Sequence, residues 1–212
     1  MSEWTLTYQD FDPKQEPLRE ALCTLGNGYF ATRGAAPESR ADETHYPGTY
    51  VAGCFNRLTT EIAGREVENE CMVNVPNWLP LSFQLEGGEW FDLQKVEILE
   101  YRQELDVRRG VLTRLIRFMD DKGRSTRVTQ RRFVHMAMPH LAGLETTCVA
   151  EDWEGRLDVR CALDGRITNS GVARYRQLRG DHLEPVETAS FGGDSIYLQV
   201  VTRSLSENSK QA

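Results

Sequence analysis

Pairs of carboxylates are the first candidates for chemistry in this sequence. They occur in strand-like or loop-like stretches as Glu66/Glu68, Glu97/Glu100 and Glu61/Glu70. Cleavage of a glycosidic bond by acid–base chemistry needs two carboxyl groups that face each other across a pocket. Because charged residues in such stretches usually lie at the solvated surface, we expect these pairs to be surface groups and not catalytic ones.

Other motifs for catalysis or cofactor binding are missing from the sequence. It contains no G-x-S-x-G, H-E-x-x-H, P-loop or EF-hand pattern. The sequence has four histidines, His45, His135, His140 and His182. Their spacing from the five cysteines does not match that of a metal site. We therefore expect no catalytic residue, no metal site and no cofactor in this chain.

The segment LGNGYFATRG (25–34) matches a dinucleotide-binding pattern, G-x-G-x-x-G/A, at Gly26, Gly28 and Ala31. That pattern binds phosphate only between a buried strand and the start of a helix. The preceding PLREALCTL mixes charged and apolar residues, and Gly34 and Pro37 fall where the helix would begin. We interpret the segment as a bend that turns at Asn27-Gly28.

Arginines crowd into one third of the chain. They are Arg102, Arg108, Arg109, Arg114, Arg117, Arg124, Arg127, Arg131 and Arg132. Several alternate with apolar residues, which favours a solvated strand face with local ion pairs over a phosphate-binding surface. The formal net charge of −7 disfavours nucleic acid as a partner.

Aromatic residues offer a possible sugar platform, because the C–H faces of a pyranose stack on rings. The candidates are Trp78, Trp90, Trp153, Tyr46, Tyr50 and Tyr101. The alternative, which we favour, is that Trp90 and Phe91 fill a core while Trp78 plugs one end of it.

Alternation of apolar and polar residues with a period of two is the main signal for secondary structure. It predicts strands in HLAGLETTCVA, GRLDVRCAL and DSIYLQVVTR. It also predicts one hairpin in LSFQLEGGEWFDL, and a second between VLTRLIRF and STRVTQRRFVHM. The best helical candidate, Glu16 to Leu22, is short. The pattern predicts an all-β fold, a large antiparallel β-sandwich of two packed sheets.

The sequence predicts one sandwich domain over residues 1–205, followed by a polar tail, 206–212. Residues 35–48, AAPESRADETHYPG, predict an exposed loop. The odd count of cysteines, with no C-x-x-C, indicates free thiols, and Cys148 and Cys161 read as small buried hydrophobes. No signal peptide and no membrane-spanning run is present, so we expect a cytoplasmic protein that does not contact membranes.

Six blocks, in order, resemble the N-terminal domain of glycoside hydrolase family 65. They are LGNGYFATRG, YPGTYVAGCFN (46–56), VPNWLPLSFQLEGGEWFDL (75–93), ILEYRQELDVRRGVLTR (98–114), RRFVHMAMPHLAGL (131–144) and LDGRITNSGVARYRQLRGDHL (163–183). The resemblance implies a β-sandwich that precedes a catalytic (α/α)6 barrel in the same polypeptide. It also implies inverting phosphorolysis of an α-glucosidic disaccharide by the full enzyme, with inorganic phosphate as co-substrate and β-glucose 1-phosphate as product.

The family's catalytic residues belong to the barrel, so the resemblance places none of them in this chain. It implies instead a domain for barrel docking, stability and homodimer contacts. We expect a docking or pocket-rim loop through Tyr29, Arg33, Glu38 and Tyr50, although a turn that only closes one end of the sandwich would explain the same residues. The alternative functions are an independent carbohydrate-binding module and a non-enzymatic interaction protein.

Overall fold

The computed structural model describes residues 3–170 and 177–204, which form two compact units. The first unit comprises Met1–Pro47 and Leu81–Cys161, and the second comprises Gly48–Pro80 and Ala162–Ala212. Strands dominate both, and all the pairings given below are antiparallel. No helix of the described residues has the length and apolar character needed to cross a bilayer.

A five-stranded sheet organises the first unit. Its strands are β1 (Thr5–Tyr8), β8 (Glu97–Asp106), β9 (Val111–Met119), β10 (Ser125–Val134) and β11 (Ala142–Ala150), and they pair in the order β1-β8-β9-β10-β11. The predicted hairpin between VLTRLIRF and STRVTQRRFVHM is confirmed as β9 and β10. Gly123 in its turn has φ +77°, a conformation that favours glycine.

Shorter elements complete the first unit. They are helix α1 (Glu16–Leu22), strands β2 (Leu25–Gly26), β3 (Phe30–Thr32), β7 (Leu81–Leu85) and β12 (Leu157–Cys161), and a 3-10 turn at Leu93–Lys95. The predicted hairpin in LSFQLEGGEWFDL forms only in part. Its return arm makes one bridge, from Gln84 to Trp90, whereas β7 pairs along its length with β12.

Helix α1 is confirmed where the sequence offered a weak candidate. Pro17 occupies the first turn, where its missing N–H costs nothing. The helix buries Glu16, Arg19 and Glu20 and exposes Leu18 and Leu22. A helix with its charged face inward produces no apolar stripe toward the core, which explains the weak signal.

Two apolar clusters form the core of the first unit. The larger contains Phe83, Leu85, Phe91, Leu93, Tyr101, Ile116, Phe118 and Val128, and the smaller contains Cys23, Leu25, Leu105, Leu112 and Val134. Phe91 is in the core as predicted. Trp90 is not in the core, because it is 36% exposed. It directly precedes Phe91 in an extended segment that bridges to Gln84, so its side chain points to the opposite face from that of Phe91.

The second unit consists largely of two hairpins. Strand β5 (Phe55–Ile62) pairs with β6 (Arg65–Met72), and β13 (Leu183–Phe191) pairs with β14 (Ser195–Thr202); β4 (Thr49–Val51) also belongs to this unit. Ala63 and Gly64 close the first hairpin with φ of 50° and 75°, as a two-residue turn requires. The buried apolar residues of the second unit include Leu58, Val73, Leu79 and Leu183.

The predicted all-β antiparallel class is confirmed, and its strands are consistent with a sandwich. The cysteines are free thiols. Cys148 packs against the core as expected, but Cys161 is exposed, so its prediction as a buried hydrophobe was wrong; it ends β12, a strand whose Val159 is also exposed. The extent of one domain over 1–205 stays a prediction, and the predicted tail 206–212 lies outside the described residues.

Candidate functional site

The carboxylate of Glu20 anchors the polar segment that follows β3. It is 1% exposed, and its Oε1 atom lies 2.8 Å from Nδ1 of His45. Its Oε2 atom accepts a hydrogen bond from the backbone N–H of Tyr46 at 2.9 Å and lies 3.8 Å from Nη2 of Arg33. Glu20 therefore ties helix α1 to both ends of this segment.

Arg33 is a positioning residue and not a surface group. Its Nε donates to the carbonyl of Tyr46 at 2.9 Å, and its Nη2 donates to the carbonyl of Pro17 at 3.0 Å. The guanidinium also lies 5.3 Å from the centre of the Tyr46 ring, within the range of a cation–π contact. These bonds hold residues 33–46 as a closed loop, which we call the anchored loop.

The anchored loop directs the carboxylate of Glu38 toward the five-stranded sheet. Glu38 forms an ion pair with Arg114 of β9, and both side chains are 6% exposed. Arg132 of β10 donates from Nη1 to the carbonyl of Ala35 at 2.7 Å. Only residues 40–43 of the segment 35–48 are exposed, so the prediction of an exposed loop was wrong for most of its length, because two buried arginines hold it against the sheet.

A row of polar side chains crosses the sheet beneath this loop. Gln103 of β8 lies opposite Arg114, which lies opposite Gln130 of β10, which lies opposite Thr146 of β11. Gln103, Arg114 and Gln130 are all buried. The sheet thus carries a band of polar groups where alternation alone would place apolar ones.

Charge at this row is only partly balanced. Burial opposes the charge of Arg114, but the charge and hydrogen bond of Glu38, together with the charges of Tyr101 and Glu16, outweigh it and raise the pKa of the guanidinium. Burial, followed by the like charge of Arg114, lowers the pKa of Arg132 to about 10. In the described part of the chain, Glu38 Oε2, Arg114 Nε and Gln130 Oε1 lack hydrogen-bond partners. Such groups cost about 1–3 kcal/mol each.

The space beside the two arginines is small. A cavity of about 20 Å³, lined in part by Arg114, Gln130 and Arg132, has room for about one water molecule. Neither a phosphate nor a sugar fits there. The arrangement positions the anchored loop and does not form a ligand-binding pocket.

His45 is the titrating member of the loop. Its burial lowers the pKa, but the hydrogen bond and charge of Glu20 outweigh this and raise it above the ordinary value. The ring also lies 6.5 Å from that of Phe11, roughly parallel to it. His45 and Glu20 therefore attract more strongly when the imidazole carries a proton.

Asn27 explains what the glycine-rich bend does. Its Nδ2 donates to the carbonyls of His135 and Pro139 at 2.8 and 3.2 Å, and its Oδ1 accepts from the N–H groups of Tyr29 and Phe30. The bend clamps residues 135–141, which we call the methionine loop.

Tyr29 is the exposed member of the predicted group. It is 38% exposed, and its ring meets that of His140 edge-on at 4.6 Å. Met136 and Met138, in the methionine loop, are 77% and 51% exposed. Tyr50 lies half-buried on β4, in the second unit. Of the four predicted residues, Arg33 and Glu38 thus share the anchored loop, Tyr29 borders the methionine loop, and Tyr50 belongs to the other unit.

The carboxylate pairs named from the sequence are surface groups, as predicted. All six residues are exposed. Glu61 and Glu66 lie opposite each other on the β5–β6 hairpin, while Arg57 pairs with Glu68 and Glu70 at 3.6 and 3.1 Å. The described residues contain no cluster of three or more His, Cys, Asp or Glu side chains able to hold a metal ion.

A serine, an asparagine and a histidine meet in the second unit without forming a nucleophilic triad. Ser204 Oγ donates to Asn56 Oδ1 at 2.5 Å, and Asn56 Nδ2 lies 3.0 Å from Nδ1 of His182. The hydroxyl is therefore bonded to an amide oxygen instead of a base, which leaves it unactivated. Burial lowers the pKa of His182, consistent with a neutral structural ring.

Sequence reasoning missed Arg114 and Arg132, which were grouped with seven other arginines as a solvated face. Five of the nine are indeed exposed, but these two are buried. The signal was present: Arg114 alternates with Leu112 and Ile116, and Arg132 alternates with Val134, so both share the parity of core residues. Glu20 and His45 carried no such signal.

Several known proteins resemble this chain along most of its length. The chain is 51% identical over 94% of its length to an uncharacterized glycosyl hydrolase of Mycobacterium tuberculosis strain H37Rv, and covers 15% of that protein. It is 33% identical over 95% of its length to the kojibiose phosphorylase of Caldanaerobacter subterraneus subsp. tengcongensis, of which it covers 24%. It is 34% identical over 86% of its length to the trehalose 6-phosphate phosphorylase of Lactococcus lactis, of which it covers 23%.

A solved structure shares the fold. The protein described as "Putative kojibiose phosphorylase from human microbiome" matches with a TM-score of 0.80 at 21% identity, over 94% of this chain and 25% of that one. The family model for the N-terminal domain of glycosyl hydrolase family 65 matches residues 6–207. This chain therefore belongs to glycosyl hydrolase family 65, as its N-terminal domain.

Proposed function

We propose that the chain is the non-catalytic N-terminal domain of a family 65 disaccharide phosphorylase. In the full enzyme, phosphate attacks the anomeric carbon of an α-glucosidic disaccharide with inversion and yields β-glucose 1-phosphate. The catalytic acid and the phosphate site then lie in an (α/α)6 barrel of the same polypeptide. Inorganic phosphate serves as a co-substrate, and no other cofactor is needed.

The coverage of the relatives carries this proposal. Residues 6–207 match the family model, yet the chain covers only 15–24% of the relatives named above. Most of each relative therefore lies outside the region that aligns with this chain. The exposure of all six carboxylates in the candidate pairs supports the same division. The free cysteines support a reducing, cytoplasmic setting.

Exposed apolar groups of the first unit support a role in docking. Leu18 and Leu22 lie one turn apart on the outward face of α1 and are 55% and 52% exposed. The methionine loop and Tyr29 present a second apolar surface. Methionine-rich surfaces adapt their shape to a partner, so we assign the methionine loop to contact with the barrel. Arg33 and Glu38 act indirectly, by holding the anchored loop.

Assays on two lengths of polypeptide test the catalytic proposal. We expect the full-length protein to release β-glucose 1-phosphate from kojibiose, trehalose, nigerose or maltose when phosphate is present, with the anomer identified by NMR. The 212-residue chain alone should release none. Turnover by the short chain, or release of glucose without phosphate by the full protein, would refute the assignment.

Surface variants test docking separately. In the full-length protein, Met136→Ser with Met138→Ser should lower the melting temperature and weaken activity, because a buried contact with the barrel is lost. In the 212-residue chain the same changes should be neutral. Val107→Ser is the matched control, since Val107 is 57% exposed on the β8–β9 turn. Equal effects of the double variant in both lengths would contradict docking.

Homodimer contacts and sugar binding complete the proposal. Light scattering of the full-length protein and of the 212-residue chain should show whether this domain contributes to a dimer. The second candidate function is a carbohydrate-binding module, which a cavity of about 220 Å³ lined in part by Phe83, Phe91 and Phe118 favours. The third candidate function is a non-enzymatic interaction protein. Sequencing the gene beyond residue 212 tests it, because only this candidate requires that no barrel follows.

A further inference from the structure

Strand β14 of the second unit has a strand neighbour on one side only. It pairs with β13 from Ser195, opposite Phe191, to Thr202, opposite Leu183, and among the described residues no other strand adjoins it. No backbone hydrogen bond joins residues 195–202 to a described segment outside this hairpin. Alternate residues of an antiparallel strand point their N–H and C=O groups away from the partner. The outer edge of β14 therefore presents a row of backbone donors and acceptors that no described strand pairs.

The other edge of the same hairpin is protected against further pairing. Natural sheets protect their edges with charged side chains, prolines and bulges. Strand β13 has all three: Glu184 and Glu187 carry charge, Pro185 lacks the N–H donor, and the register is irregular between Pro185 and Glu187. A further strand therefore meets obstacles at β13.

Strand β6, in the other hairpin of this unit, is protected by charge. It is eight residues long, as β14 is, and it also pairs on one side only. Its charged residues are Arg65, Glu66, Glu68 and Glu70. The second unit thus uses charge at a comparable edge, which makes the composition of β14 exceptional.

Strand β14 itself carries none of these protections. Its sequence, SIYLQVVT, contains no charged residue, no proline and no glycine. It is rich in the β-branched and aromatic residues that favour strands. A long edge of this composition pairs readily with another strand, so the sequence of β14 is typical of a strand with neighbours on both sides.

One face of β14 indicates what kind of strand would fit beside it. Ile196, Leu198 and Val200 lie on this face, and a Cβ on Gly165 would be 2.9 Å from Leu198 Cδ2 and 3.4 Å from Val200 Cγ1. The segment at Gly165 therefore covers the middle of the face. Ile196 is 51% exposed, so the apolar surface continues past that segment. An added strand would need apolar residues at alternate positions to extend it.

We propose that a β-strand from the polypeptide beyond residue 212 adds to the outer edge of β14 and completes this sheet. The relatives provide the length for such a strand, since the chain covers only 24% of the kojibiose phosphorylase named above. Strands that are close in sequence usually lie beside each other, and a strand of the same molecule has a higher effective concentration than one from a second copy. The added strand is uncharged on the face it shares with Ile196. The inference needs only that the polypeptide continues, so its failure would leave the assay of phosphorolysis untouched.

Hydrogen–deuterium exchange of the full-length protein tests whether β14 is covered. Strand β6 is the matched reference, because both strands have eight residues and one described partner. With a second neighbour, the amides of β14 should have a mean protection factor at least about 10-fold above that of β6, read by mass spectrometry on peptides. Equal protection of the two strands would refute the proposal.

Photo-crosslinking of the full-length protein identifies the occupant. A benzophenone amino acid in place of Gln199, which is exposed on β14, should link to a peptide from beyond residue 212 of the same molecule. The protection of β14 should also be unchanged on dilution. A link to a second copy, with protection that falls on dilution, would assign the edge to self-association and overturn the proposal. Links only to residues 1–212 would overturn it as well.

A substitution on the apolar face provides a further test. Ile196→Lys places a charge where the added strand needs an apolar neighbour, so the protection factor of β14 should fall to within about 3-fold of that of β6. Val67→Lys is the control, since Val67 is 38% exposed on β6, and it should leave the protection of β14 unchanged. If Ile196→Lys unfolds the protein, the comparison of β14 with β6 in the unmodified protein still decides the question. Full protection of β14 in a folded Ile196→Lys variant would show that no strand packs there.

Discussion

The ion pair between Glu38 and Arg114 makes the sharpest prediction about stability. Both side chains are 6% exposed, so Glu38→Ala leaves a guanidinium buried without its carboxylate. Removing one partner of a buried pair costs about 3–5 kcal/mol. For a chain of this size, each kcal/mol lowers the melting temperature by about 2–4 °C, so we expect a decrease on the order of 10 °C.

A surface pair on the same sheet provides the control. Arg131, next to Arg132 on β10, pairs with Glu145 of β11 at 2.5 Å, but these side chains are 57% and 58% exposed. Exposed pairs contribute about 0–1 kcal/mol, so Glu145→Ala should shift the urea midpoint little. The two variants remove the same type of group from the same sheet, and only burial differs.

The double variant Glu38→Ala/Arg114→Met separates pairing from simple loss of packing. Replacing both members of a buried pair with apolar groups is often close to neutral, so the double variant should be more stable than Glu38→Ala. Urea unfolding followed by circular dichroism measures Glu38→Ala, Arg114→Met, their double variant and the control Glu145→Ala. The reasoning is refuted if Glu38→Ala costs no more than Glu145→Ala, or if the effects of the two single changes simply add in the double variant.

Three further predictions follow from the anchored loop and its neighbours. The pKa of His45 is raised in the folded state, so the stability that its protonation contributes is complete below the unfolded value of about 6.5 and is lost as pH rises through the folded value. His45→Gln should therefore lower the free energy of unfolding more at about pH 5.5 than at about pH 8.5. A loss of stability that does not depend on pH would contradict the pairing with Glu20. A Cβ at Gly34 would lie 2.6 Å from Cβ of Cys23 and 3.1 Å from the carbonyl oxygen of Glu20, so Gly34→Ala should destabilise the fold by about 1–3 kcal/mol through overpacking. Gly110→Ala is the control, because it strains φ but its Cβ meets open space, and it should cost less. A smaller cost at Gly34 than at Gly110 would show that the backbone around Gly34 shifts to accept the methyl group. Asn27→Ala removes both bonds to the methionine loop, and limited proteolysis should then cut within residues 135–141 at least several-fold faster, with unchanged cleavage there arguing against a clamp.

Strands β9, β10 and β11 of the sheet could be predicted from the sequence because apolar and polar residues alternate along them. In β9, Leu112, Ile116 and Phe118 are buried, and all three share one parity of the period of two that predicted the strand. The same period placed Arg114 inward, but the tendency of arginine to lie at the surface led to the opposite interpretation. Parity within a strand was the stronger signal, since a side chain cannot change faces without a bulge.

The anchored loop was not predictable, for a different reason. The bonds from Glu20 to His45 and from Arg114 to Glu38 join residues 25 and 76 positions apart. No local pattern records such contacts. The polar composition of residues 35–48 is typical of a solvated loop, and only the acceptors and donors supplied by α1, β9 and β10 turn it inward.

The discontinuous course of the first unit has a consequence for synthesis. Strand β7 pairs with β12, and Leu157, the partner of Leu85, follows it by 72 residues (157 − 85). At about 5–20 residues per second, a ribosome takes roughly 4–14 s to make that interval. Throughout it, Phe83 and Leu85 lie on a strand whose partner does not yet exist, and an open apolar edge invites pairing with other chains. Slower translation between residues 86 and 157 therefore lengthens the period in which the nascent chain is vulnerable to aggregation.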